Sequence, residues 1–154
     1  MTVRDSDFFI RSKSPSLTQF TSYRSSNVML FDELTGIDHL NLFAHLKSNQ
    51  KMPSTKLLFE HLLGHQNKKV KFYSEGQRQC LQTLIALCSE TSRLILLDEP
   101  TRGLDTFQRK EIIRAIWRFK KDRYIVINSS DNELISMLSD SIAKVLPDGL
   151  EILQ

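Results

Sequence analysis

The amino-acid sequence predicts an α/β fold built on a mostly parallel sheet. Residues 93–100, RLILLDEP, form an apolar run closed by two acids and a proline, the pattern of a central parallel strand buried on both faces. Residues 106–122, TFQRKEIIRAIWRFKKD, place Ile112, Ile113, Ile116 and Phe119 on one side of a helix. A second apolar run, YIVINSS, follows at 124–130 and is expected to be another buried strand. Strand, helix and strand in this order predict parallel strands joined by a crossover, with ligands at the strands' C-terminal ends.

At 154 residues the chain is one domain's worth and can bury a real core. Its 40% apolar and 25% charged content are ordinary for a globular protein. A net charge of +3 is too small to argue for nucleic acid, and the basic clusters NKKVK and RFKKDR read as solvated surface. There is no apolar run of 18 residues, so no membrane span is expected, and the first residues lack the apolar core of a signal peptide. Cys80 and Cys88 fall on roughly one side of a helix and read as buried thiols, neither disulfide-bonded nor metal-binding, in a reducing cytosolic space.

The remaining elements follow in order. DFFI at 7–10 suggests a short strand and SPSLTQF at 14–20 a turn with a short helix. LFDELTGIDHLNLFAHLKS reads as a helix capped by Thr35 with Asp38 as acidic partner, its stripe formed by Leu40, Phe43, Ala44 and Leu46. SNQKMPS is a polar break, TKLLFEHLL a second helix stopped by Gly64, and HQNKKVKF a loop. In YSEGQRQCLQTLIALCS, Ser74 is the N-cap, and Leu81, Leu84, Ile85 and Cys88 form the stripe. After the second strand, NELISMLSD is a helix, and SIAKVLPDGLEIL is a hairpin turning at Pro147–Gly149.

Two places carry chemistry. Asp98 follows four apolar residues and should stand at the mouth of the sheet, where one carboxylate can hold Mg²⁺ through water. Glu99 beside it could polarise a water against a bound phosphate. The plainer alternative is an acid pair that caps the turn. At Tyr73–Gln77, YSEGQ, a serine cap and a glycine leave helix N–H groups pointing outward, which suits an anion. The plainer alternative there is a capped helix and nothing more.

YSEGQRQ, LILLDEP and TRGLD together resemble the signature motif, Walker B strand and D-loop of the ATP-binding-cassette (ABC) family. NVMLFDELTGIDHLNLFAHLKS resembles the segment after the Q-loop in the A subfamily, whose members are largely lipid exporters. YIVINSSDNELISMLSDSIAKVLPDGLEIL resembles the switch-histidine strand, its helix and the closing hairpin. The resemblance implies a partial P-loop NTPase fold, one partial nucleotide-binding domain over 1–154. Residues 27–72 would be its helical subdomain, and 73–154 its signature helix, Walker B strand, D-loop, switch strand and hairpin. It implies ATP and Mg²⁺ as the family's cofactors. Glu99 would be the general base and Asp98 the Mg²⁺ holder. Ser74, Gly76 and Gln77 would contact nucleotide across a dimer, and Asp105 would bridge two cassettes. A second cassette or a transmembrane subunit is the implied partner, at the cytoplasmic face of a membrane, with no nucleic acid expected. A DNA-linked ATPase head shares the signature and Walker B, but the compact DEPTRGLD and the lack of a heptad arm speak against it.

Several features depart from the family. None of the five glycines begins G-x-x-x-x-G-K-[ST], and no glycine precedes a lysine. The resemblance therefore reaches roughly the last two-thirds of a nucleotide-binding domain, with the first strand and phosphate loop absent. The Q-loop glutamine aligns to Ser26 and the switch histidine to Ser130. Glu75 replaces a signature glycine and puts a carboxylate where a partner's ATP would approach. Four or five charge-assisted phosphate contacts, each about 1.5–3 kcal/mol, amount to roughly 6–15 kcal/mol, whereas a micromolar Kd needs only about 8 kcal/mol. The chain alone is thus expected neither to bind nor to hydrolyse ATP. The alternative to a truncated cassette is an inactive module that docks on a partner cassette and regulates it. A sheet lacking its first strand is also expected to be marginally stable or prone to aggregate.

Overall fold

The computed structural model describes residues 21–24, 29–48, 56–64, 67–88, 92–146 and 149–153. The strand and helix expected within residues 7–20, Ser26, residues 49–54 of the polar break, and Pro147 lie outside them. Strand β1 (Thr21–Arg24) is followed by α1 (Gly36–Ser48), α2 (Lys56–Leu63), a 3₁₀ turn (Val70–Phe72) and α3 (Glu75–Leu87). Then come β2 (Leu94–Asp98), α4 (Thr106–Phe119), β3 (Tyr124–Asn128), α5 (Asn132–Leu138), β4 (Ala143–Leu146) and β5 (Gly149–Ile152).

Strands β1, β2 and β3 form a parallel sheet with β2 in the centre. β1 was not legible in the sequence: TSYR is short and polar, with no apolar run to mark it. The register aligns Ser22, Ile95 and Ile125 on one row and Arg24, Leu97 and Ile127 on the next. Because the strands are parallel, these side chains share one face. Ile95 and Leu97 on that face are buried, as are Ser22 and Arg24. Helix α3 packs on β1 and β2 and contributes Cys80, Leu81, Leu84, Ile85, Leu87 and Cys88 to the core. Ile112, Ile113 and Ile116 of α4 join the same core, each such side chain stabilising the fold by about 1.5–3 kcal/mol.

The opposite face corrects one expectation. Leu94 and Leu96 are only half-buried, and Tyr124 and Val126 of β3 are 79% and 57% exposed. β2 and β3 are therefore not buried on both faces. In α1, Leu46 was expected in the apolar stripe but is exposed, while Leu40 and Ala44 are buried and Phe43 packs against the core. A helix turns 100° per residue, so Leu46 lies well round from Leu40 and Ala44.

Caps account for the boundaries. Thr35 opens α1: the Asp38 carboxylate accepts from the Thr35 N–H at 3.0 Å and hydroxyl at 2.6 Å. Gly36 lets α1 approach α2, since a Cβ there would stand 2.5 Å from the Phe59 ring. Gly64 ends α2 at φ 69°, the left-handed stop that glycine adopts freely. The end of the expected loop at 65–72 winds into the 3₁₀ turn and buries Val70. β4 and β5 pair antiparallel as the expected hairpin. Cys80 and Cys88 are buried and form no disulfide, and burial pushes the Cys80 thiol up to about 12.

Candidate functional site

The apolar run of β2 delivers Asp98 and Glu99 to the sheet's C-terminal edge, beside the end of β3. One Asp98 oxygen accepts from the Asn128 side-chain amide at 2.8 Å. The Glu99 N–H donates to the Asn128 carbonyl at 2.8 Å. Glu99 has φ 45°, a left-handed conformation that costs a non-glycine residue about 1 kcal/mol or more. Its carboxylate accepts from the Ser130 N–H at 2.9 Å and the Ser129 hydroxyl at 3.3 Å. The strain is thus held by one bond to the end of β3 and two to the segment after it. Ser130 acts on Glu99 through its backbone, and its exposed side chain does not make this contact.

The next residue, Asp131, gathers several elements. It caps α5 by accepting from the Leu134 N–H at 3.0 Å. It also accepts from Thr101 at 2.9 Å and from Arg109 at 2.8 and 2.7 Å. The forked Arg109 contact holds the Asp131 carboxyl well below the usual carboxylate range and raises the guanidinium in turn. The turn after the acids is thereby tied to both α4 and α5.

The start of α3 lies against the same turn. Ser74 and Gln77 form a reciprocal capping box: the Ser74 hydroxyl accepts from the Gln77 N–H at 3.2 Å, and the Gln77 side chain accepts from the Ser74 N–H at 3.0 Å. Sequence reading assigned Gln77 to nucleotide and missed this pairing, which Ser-x-x-Gln spells out. Gly76 is buried, and a Cβ there would meet Gln108 at 2.5 Å and the Gly103 carbonyl at 3.3 Å. Asp105 caps α4 by accepting from the Gln108 N–H at 2.8 Å, and Gln108 returns a bond to the Asp105 N–H at 3.3 Å. Gly76 and Asp105 are therefore linked through Gln108.

Arg24 joins the two halves. It is 1% exposed and donates to the Asp98 carbonyl and to the Gln79 side-chain oxygen. Gln79 donates to Glu75 at 2.9 Å. Nothing in the sequence marked Arg24, because an arginine beside serines usually signals solvent. The cap at Asp131 was readable as an acid preceding an apolar-periodic segment.

Among the described residues no cluster of three His, Cys, Asp or Glu side chains forms a metal cage. Asp98 keeps one oxygen free of the Asn128 bond. A single carboxylate oxygen fits Mg²⁺ of the kind held mainly by water and phosphate oxygens.

No family model matches the chain. It is 38% identical over 120 residues to the phospholipid-transporting ATPase ABCA3 of Homo sapiens, covering 75% of this chain and 7% of that protein. It is 30% identical over 142 residues to ABC transporter A family member 8 of Dictyostelium discoideum, covering 89% of this chain and 17% of the relative. Among solved structures, an ATP-binding cassette in a dimeric post-hydrolysis state bound to ADP and Pi superposes with a TM-score of 0.69 at 20% identity, over 99% of this chain and 68% of that one. The ATP-binding subunit of an ABC transporter gives 0.68 at 19% identity, over 87% and 58%. The parallel sheet and these neighbours give the chain the fold of part of an ATP-binding-cassette-type P-loop domain. Over most of its length the chain is similar to A-subfamily ABC transporters, and it spans only a small part of the curated relatives it matches.

Proposed function

We propose that this chain works as the signature-and-Walker-B part of an A-subfamily cassette, associated with ATP-driven lipid transport at the cytoplasmic face of a membrane. Residues 27–72 are its helical subdomain. Ser74, Gly76 and Gln77 approach the phosphates of an ATP held by a second cassette, and Asp105 lies at the junction between the two. The observation that carries this reading is the capped start of α3, exposed at Ser74 and Glu75 and seated on the turn after β2 through Gly76. A capped helix start concentrates partial positive charge and suits an anion.

Asp98 and Glu99 take the metal and general-base positions. Mg²⁺, when bound with triphosphate, neutralises phosphate charge. Two of the Glu99 carboxylate's roughly four lone-pair positions are used by Ser129 and Ser130, which leaves it capacity to accept from a water. These 154 residues contain no phosphate-loop string, so by themselves they neither capture nor hydrolyse ATP. A titration of the purified chain with Mg-ATP, with and without an A-subfamily cassette as partner, tests this. Binding is expected only with the partner, and tight magnesium-dependent binding by the chain alone would overturn it.

A second reading, an inactive module that regulates a partner cassette, is favoured by the Glu99 carboxylate's engagement with Ser130 and by the carboxylate of Glu75 at the helix start. The partner's ATPase rate separates the two. A rise on adding this chain supports the composite site, and a fall supports the regulatory module.

A further inference from the structure

We propose that Arg24 and Gln79 form a relay that draws the Glu75 carboxylate back from the tip of α3, which makes Arg24 a positioning residue for the signature helix. Arg24 stands on the core face of β1, and the two acceptors it bonds among the described residues are neutral: the Asp98 carbonyl and the Gln79 side-chain oxygen. Its Nε has no hydrogen-bond partner among the described residues. A buried cation held only by neutral acceptors is costly unless negative charge lies within reach. Burial pulls the guanidinium below its ordinary value, while the nearby Asp98 works against that pull.

Gln79 carries the influence onward. Its oxygen faces the guanidinium and its NH₂ faces Glu75 at 2.9 Å. Reversing the amide would set donor against donor at one end and acceptor against acceptor at the other, so only one orientation satisfies both neighbours. Polarisation by the guanidinium strengthens the amide's donation to the carboxylate. Gln79 lies four residues after Glu75, one helical turn further into α3. The carboxylate is therefore held one turn back, away from the amides of the first turn. A released Glu75 would swing over those amides and repel an anion there. This consequence, though not the relay, rests on the function proposed above.

A double-mutant cycle on the melting temperature of the full 154-residue chain tests the relay. Arg24→Met and Glu75→Ala do not touch the same atom, so a purely space-filling Arg24 predicts that their losses add. The relay predicts a double-variant loss smaller than the sum, with additivity returning when Gln79→Leu is also present. Additive losses with Gln79 intact would overturn the proposal. Should Arg24→Met fail to fold, the side-chain amide resonance of Gln79 serves instead. It is expected to shift in both Arg24→Lys and Glu75→Gln, and an unmoved resonance in Glu75→Gln would overturn the relay.

Capture of an ATP-loaded partner cassette then reads the consequence: Gln79→Leu should weaken it, and Gln79→Leu with Glu75→Gly should restore it. If the unaltered chain captures no partner, the function proposed above fails, while the melting cycle still decides the relay.

Discussion

Asp131 shows how much one side chain can hold. It accepts from Thr101, from both arms of the Arg109 fork and from the Leu134 N–H. Because its carboxyl is held below the ordinary value near 4, mainly by the Arg109 hydrogen bonds, the ionised form favours the folded state. That stabilisation is complete above about pH 4 and is lost progressively as pH falls towards the lower folded value. Asp131→Asn keeps an N-cap but loses the charge, and should cost about 2 kcal/mol at neutral pH. Urea midpoints from neutral to acidic pH provide the check. The variant should show a shallower acid loss than the unaltered chain, and equal acid slopes would rule this account out. No residue pattern announced the Arg109 contact, because the fork spans two helices whose packing the sequence does not state.

The element that most constrains the site is the seat of α3 on the turn after β2. Gly76 meets Gln108 and the Gly103 carbonyl at distances that leave no room for a methyl group. Gly76→Ala should therefore destabilise the chain by roughly 1–3 kcal/mol. The penalty should shrink in a Gln108→Ala background, where the nearest atom has gone. Equal penalties in the two backgrounds, measured by chemical denaturation, would mean that the crowding lies elsewhere. At this scale the sequence was largely legible. Thr35, Ser74 and Gly64 mark helix ends by their chemistry, and LILLD marks the central strand by its unbroken apolarity. It misled where apolarity lacked alternation: exposed Tyr124 and Val126 stand among the half-buried Ile125 and Ile127 in one apolar run, so no period of two betrayed an exposed face. It was silent at β1, and with β1 went Arg24 and the link from the strand to Gln79. Asp98, Glu99, Ser74 and Gly76 were found because their motifs are local, whereas their partners Asn128, Gln108 and Arg24 come from distant segments.

For the whole molecule, the open sheet face matters most. Tyr124 and Val126 lie on an outer strand of the three-stranded sheet, beside half-buried Leu94 and Leu96. An apolar face on such an edge invites association. The purified chain should self-associate at micromolar to millimolar concentrations, and Tyr124→Thr with Val126→Thr should shift it towards monomer. Light scattering after gel filtration reads this directly, and a persistent monomer of the unaltered chain would contradict it. The same sheet also has a consequence for synthesis. Arg24 and its acceptor Asp98 are 74 positions apart, so β1 leaves the ribosome long before β2 exists. At roughly 5–20 residues per second, that strand waits several seconds for a neighbour. Its arginine stays hydrated until Gln79 and Asp98 have been made and brought against it.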